Sequence, residues 1–137
     1  PSSMYSGVIS RFTDVVSGGG RPTVYGDGQQ TRDFVHVSDV VQANLKAMHS
    51  QEVGRGEVIN VGTGRTTSLL QLLEVLRELT GQQFEIRFEP ARAGDVRHSQ
   101  ADISRARELL GFEPACTIRS GLRDLLAWRA EDVSERS

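Results

Sequence analysis

The sequence predicts an α/β domain of short strands and about five helices, and three observations lead there. Stretches rich in β-branched and aromatic residues alternate with segments whose apolar residues recur at helical spacing. Glycines punctuate the ends of those segments, as at Gly18–Gly20, Gly81 and Gly111. The 137 residues, 37% hydrophobic and 25% charged, match one soluble core of ordinary composition.

The first helix reads from Ser6 to Ser17, with Val8, Ile9, Phe12, Val15 and Val16 on one face and Ser3 or Ser6 as its cap. Gly18–Gly20 end it. Thr23–Tyr25 reads as a strand, 26–30 as a turn, and Asp33–Val37 as a second strand because Phe34, Val35 and Val37 are β-prone. Ser38 is placed to cap a helix reaching His49, with Val40, Val41, Leu45 and Met48 as its apolar face. A charged loop over 51–56 leads to a strand at Val58–Val61. Gly62–Thr67 turns into a strongly apolar helix over Ser68–Thr80, closed by Gly81 as a left-handed cap. Phe84–Phe88 is a strand and Pro90–Gln100 a loop. A short helix runs from Asp102 to Gly111, and a last one from a Thr117 cap to Ala130, with Leu122, Leu125, Leu126 and Trp128 as its apolar residues. Residues 1–130 thus read as one domain, and 131–137 as a frayed tail.

Composition narrows the function. A net charge of -2 argues against a general nucleic-acid or membrane-surface binder. No apolar run approaches the roughly 18 residues of a membrane span. All of the 16 basic residues but Lys46 are arginines, whose planar forks suit bidentate phosphate contacts, although coding bias produces the same count. Cys116 stands alone, which fits a reducing compartment and makes the cytoplasm the expected location. The chain opens on Pro1, and PSSMYSG lacks the basic and apolar regions of a signal peptide, as expected of a piece cut from something longer.

The motifs exclude more than they offer. VINVGTGRTTSLLQLL places Gly62 and Gly64 between a strand and a helix, but Thr67 stands where a dinucleotide fingerprint needs its third glycine, so the turn reads as structural. A P-loop needs a lysine after its last glycine, and Lys46 lies inside a helix. His36, His49 and His98 share no metal-ligand spacing with Cys116, so no metal is expected. Asp27 and Asp33 are acidic turn residues with no catalytic pairing that spacing establishes. What remains is Val24–Val40, VYGDGQQTRDFVHVSDV, in which an aromatic, a glycine-rich turn and an arginine suit a phosphorylated ligand.

YGDGQQTRDFVHVSDV, then INVGTG, then RAGDVRHSQADISRARELLGFEP together resemble the C-terminal half of the NAD-dependent sugar-nucleotide epimerase/dehydratase family, the extended short-chain dehydrogenase/reductases. The wording is most similar to the UDP-glucose 4-epimerase group, and the similarity runs from Tyr5 to Trp128. The resemblance implies the C-terminal part of such a fold, without the Rossmann half that binds NAD. In complete members NAD takes a hydride from C4 of the hexose and returns it to the other face, aided by a tyrosine with a lysine four residues later. Tyr5 is followed at that spacing by Ile9 and Tyr25 by Gln29, and Lys46 is preceded by Gln42, so no catalytic pair is expected here.

By the same resemblance Arg32 and Arg92 match diphosphate-binding arginines, Asp95 the acid that accepts from ribose hydroxyls, and Tyr25 a residue beside the uracil or thymine. Asn60 is a further substrate-binding position. The ligand so implied is a UDP-sugar. The residues also admit plainer roles: Arg32 with Asp33 as a surface ion pair, Arg92 and Arg97 as solvated loop charges, Asp95 in a turn, Tyr25 as strand packing. The resemblance further implies that the Ser38 helix, the Val58 strand and the last helix pack against the NAD-binding half. Val40, Val41, Leu122 and Leu126 are then expected to be under-covered here and to favour self-association. A dehydratase, decarboxylase or reductase of the family, or a stand-alone binding or assembly module, are the competing readings.

Overall fold

The computed structural model describes residues 7–137. The elements run α1 (Val8–Ser17), β1 (Thr23–Tyr25), β2 (Thr31–Arg32), α2 (Val37–His49), β3 (Thr67–Ser68), α3 (Leu69–Thr80), β4 (Arg87–Glu89), α4 (Ser104–Leu110) and α5 (Ile118–Arg136). Strand β1 pairs with β4, and β2 with β3. The fold is therefore small α/β with five helices and short strands. It divides into two compact units: one takes the chain up to Gln30, Ser68–Arg97 and Leu122–Ser137, the other Thr31–Thr67 and His98–Gly121.

In the first unit α1 packs on α3. Phe12 and Val16 of α1 are buried, as are Leu69, Leu72, Leu73 and Leu76 of α3, so the α1 stripe and the apolar third helix read from the sequence do face a core. Thr13 of α1 is buried, its hydroxyl donating to the Ile9 and Ser10 carbonyls at 2.8 and 2.9 Å, which removes the penalty of an unpaired group. Helix α3 starts at a capping box: Ser68 Oγ accepts from the Gln71 amide and Gln71 Oε1 from the Ser68 amide. It ends at Gly81 with φ 67°, as its sequence predicts. Strand β1 lies parallel to β4 with Thr23 opposite Arg87 and Tyr25 opposite Glu89.

In the second unit Ala43, Ile103, Ala106 and Phe112 form a buried cluster, flanked by Ile59, Val61, Ala101 and Leu110. Two carboxylates replace missing secondary structure. Asp39, 1% exposed, accepts the Ala115 and Cys116 amides at 2.9 and 3.1 Å. Asp33 accepts the amides of Thr63, Gly64 and Ala101.

Several expected boundaries move, each for a physical reason. Ser3 and Ser6, the caps offered for α1, lie outside the described residues, and Gly7 stands at its N-terminus without a side-chain bond. The second strand is Thr31–Arg32 rather than Asp33–Val37, because Asp33 turns to the Gly62 turn instead of extending a ladder. Helix α2 is capped by His36, whose ring nitrogen accepts from the Ser38 amide, not by Ser38. Val58–Val61 forms no ladder among the described residues, although Ile59 and Val61 still turn to the cluster while Val58 is 77% exposed. The Phe84–Phe88 strand is realised as Arg87–Glu89. Helix α4 begins at Ser104, since Asp102 accepts from its amide and hydroxyl, and stops at Gly111 with φ 64°. Helix α5 continues past Ala130 to Arg136.

Burial corrects the expected faces as well. Helix α2 buries Asp39 and Ala43, while Val41, Leu45 and Met48 are exposed. Leu122, expected to be under-covered, is 2% exposed, whereas Trp128 on the same helix is 60% exposed. No helix among the described residues is long and apolar enough to cross a membrane.

Candidate functional site

Parallel pairing sets the site in the first unit. Because β1 and β4 run the same way, both chains leave the ladder at one end, the end where α/β sheets carry their ligand loops. The Gly26 amide donates to the Glu89 carbonyl at 2.8 Å and closes the ladder. Beyond it β1 continues into the 26–30 turn and β4 into the Pro90–Arg97 loop.

The turn is held from below. Gly28 has φ +78°, and a Cβ there would lie 2.7 Å from Leu70, so only glycine allows this approach. The Leu70 amide donates to the Gly28 carbonyl, and the Leu69 amide to that of Gln30. Buried Gln30 donates from Nε2 to the Tyr25 carbonyl at 2.9 Å.

Two contacts join the turn to the loop. The Arg92 guanidinium lies over the Tyr25 ring, 3.8 Å from its centroid, a cation–π arrangement. Arg97 donates from both Nη atoms to the two Asp27 oxygens at 2.7 and 2.9 Å. That bidentate contact, helped by the Gln29 amide on Oδ1, holds the Asp27 carboxyl down at about 2, and the carboxylate holds Arg97 above its ordinary value. Asp95 shares a tight turn with Arg92, its amide donating to the Arg92 carbonyl at 3.3 Å.

Three of the five expected binding residues, Tyr25, Arg92 and Asp95, therefore gather at one end of one ladder. Arg32 and Asn60 belong to the second unit. Arg32 is half-buried and donates from Nη1 to the Thr31 carbonyl at 2.8 Å, while Asn60 is exposed just before the Gly62 turn. The ion pair of Asp27 with Arg97 was not predicted. Its signal was the pairing of GDG with GDVR, two loops 70 residues apart that only the β1–β4 register brings together.

The second unit places the Gly62–Gly64 turn around its own carboxylate. Thr63 donates from its amide at 2.9 Å and its hydroxyl at 2.6 Å to Asp33 Oδ1, and the Gly64 amide to Oδ2 at 2.9 Å. A Cβ on Gly62 would meet Ala101 at 2.6 Å and Asp33 at 2.9 Å. The amides that a dinucleotide pyrophosphate would need are thus spent on Asp33, and the residues of this turn do not fit NAD. A hollow of about 340 Å³ in this unit is lined by Gly64 and residues 100–104 and 107, and by none of the five expected residues. Its polar groups are satisfied locally: Asp102 accepts from Ser104, whose hydroxyl and amide hold the carboxyl below its ordinary value, and Arg107 meets Glu113 at 3.1 Å. Among the described residues no three His, Cys, Asp or Glu side chains cluster as a metal site requires.

Known proteins align with this chain over most of its length. A family model described as GDP-mannose 4,6 dehydratase matches residues 3–125. A UDP-glucose 4-epimerase of Mycolicibacterium smegmatis is 38% identical over 117 residues, 85% of this chain and 37% of that protein. UDP-glucuronic acid decarboxylase 1 of Arabidopsis thaliana is 40% identical over 100 residues, 73% of this chain and 22% of that protein. Among solved structures, the UDP-glucose 4-epimerase of Thermotoga maritima with UDP-glucose superposes with a TM-score of 0.86 at 41% identity, covering 93% of this chain and 40% of that one. Related structures also contain NAD, including a UDP-glucuronic acid 4-epimerase from Bacillus cereus. The chain spans less than two fifths of the length of that epimerase relative.

Proposed function

Because the chain belongs to the NAD-dependent sugar-nucleotide epimerase/dehydratase family and corresponds to the C-terminal part of its members, we propose that it is the UDP-sugar-binding part of a sugar-nucleotide 4-epimerase acting on UDP-glucose and UDP-galactose. The observation that carries this reading is the Arg92 guanidinium lying 3.8 Å over the Tyr25 ring, with Asp95 in the same turn. A flat ring suits a uracil, a guanidinium suits two diphosphate oxygens, and a carboxylate accepts from ribose hydroxyls. Arg32 is the second diphosphate arginine in this reading, and Asn60 a further contact. The chain's task is positioning, which contributes several kcal/mol to a barrier when the reacting atoms are aligned.

NAD belongs to the complete enzyme in this reading and is not held by these residues. With no tyrosine–lysine pair at the required spacing, the chain alone is catalytically silent. Its expected compartment is the cytoplasm. The exposed Val41, Leu45 and Met48 of α2 support self-association of the isolated chain. The match to UDP-glucuronic acid decarboxylases favours one other reading, a decarboxylase of the same family using the same UDP site.

Calorimetric titration with UDP tests the proposal. Arg92→Ala and Arg32→Ala are each expected to weaken binding about 10- to 100-fold, the loss of one charge-assisted contact of about 1.4–2.8 kcal/mol. Unchanged affinity in both variants would overturn it.

A further inference from the structure

We propose that the Asp27–Arg97 ion pair is the positioning device of the nucleotide site, holding the Pro90–Arg97 loop so that Arg92 stays over Tyr25. This rests on the reading of Tyr25, Arg92 and Asp95 as ligand contacts. The geometry carries it in three steps.

First, the loop buries none of its own side chains. Every residue from Pro90 to Arg97 is exposed, Gly94 has φ +80°, and beyond the ladder's last bond at Gly26 the Asp95 amide turns back to the Arg92 carbonyl. A loop without buried side chains has low local stability, so a charge-assisted tether on its last residue, just before the His98 that bridges to Thr31, bears directly on its conformation. Second, the tether is well made. Arg97 contacts both oxygens of Asp27, and a bidentate fork fixes direction as well as distance. Third, its anchor is rigid. Asp27 sits on the turn that Gly28, Leu70 and Gln30 clamp to the first unit, and its Oδ1 also accepts the Gln29 amide at 2.9 Å. The ladder at Glu89 fixes one end of the loop and Asp27 the other, with Arg92 between them.

The division of labour follows from charge. Arg97 has its charge neutralised by Asp27, whereas Arg92 rests on a neutral ring. A diphosphate would therefore be drawn to Arg92, and Arg97 serves it only through the loop's shape. The pair is exposed, at 55% and 57%, so breaking it leaves no buried charge behind and the fold should not suffer.

The test uses the whole chain and the variants Asp27→Asn, Arg97→Met and Arg97→Lys. NMR measures the upfield ring-current shift of the Arg92 side-chain protons over Tyr25, without ligand, and calorimetry measures UDP affinity. The expected result is that Asp27→Asn and Arg97→Met lose at least about half of the shift and bind UDP about 5- to 10-fold more weakly, with the urea midpoint unmoved. Arg97→Lys should recover part of both, since it restores the charge but not the fork; a steric role would not separate lysine from methionine. An unchanged ring-current shift in Asp27→Asn and Arg97→Met overturns the proposal whether or not UDP binds. Loss of UDP binding in Arg92→Ala with full binding in the pair variants also overturns it and leaves the ligand reading intact. A shift lost in the pair variants of a chain that does not bind UDP supports the positioning role and removes the ligand reading instead.

Discussion

Asp33 and Asp27 are the same residue type in the same stretch of chain, and the two units use them in opposite ways. Asp33 is half-buried and gathers backbone donors from Thr63, Gly64 and Ala101, so its carboxylate takes the place of a ladder and defines a turn. Asp27 is exposed and is held chiefly by the Arg97 side chain. A carboxylate satisfied by fixed amides is architecture, because removing it leaves partly buried donors without partners. A carboxylate satisfied by an exposed guanidinium is a tether, whose loss frees a loop and little more.

The largest expected effect separates them directly. Asp33→Ala should destabilise the chain by about 2–4 kcal/mol, since two or more charge-assisted bonds vanish and their half-buried donors lose their partners. Urea unfolding measures it, and Asp27→Ala in the same assay should leave the midpoint where it was. Equal midpoints for all three proteins would break the comparison.

Gly62→Ala sharpens it at smaller scale. The new methyl would sit 2.6 Å from Ala101 and 2.9 Å from Asp33, so the turn must open, at a cost of about 1–3 kcal/mol by the same assay. The proposed UDP affinity should be retained if the Gly62 turn is structural only, which calorimetry on the folded variant would show.

The smallest effect is in pH. The Asp27 carboxyl is lowered to about 2, so the folded chain holds that group ionised more firmly than an unfolded one does. Whatever the pair contributes is fully present above the ordinary carboxylate value and disappears as pH falls toward 2. The ring-current shift of Arg92 over Tyr25 is therefore expected to be flat from pH 7 down to about 4.5. It should fall only on further acidification, and a drop near neutral pH would point to a different tether.

The parts legible in the sequence were those whose signals are near neighbours. The Ser68–Thr80 helix with its left-handed Gly81 cap, the Gly111 stop, the Thr23–Tyr25 strand and the apolar stripe of α1 each depend on residues within a few positions. The motif wording also assigned the family, because YGDGQQTRDF and RAGD are strings read in one dimension. The Val41, Leu45 and Met48 stripe had the correct period, yet it faces outward while Asp39 and Ala43 face in. Periodicity defines a face without saying which side meets a partner.

Tertiary structure alone decided where the carboxylates point. Asp33 meets amides 30 or more residues away, Asp39 meets amides 76 and 77 residues away, and Asp27 meets a guanidinium 70 residues away. Such contacts follow from strand register and packing, which local propensity cannot encode. Hence the sequence named the residues proposed for a nucleotide, and the parallel β1–β4 register decided that Tyr25, Arg92 and Asp95 share one end of a ladder.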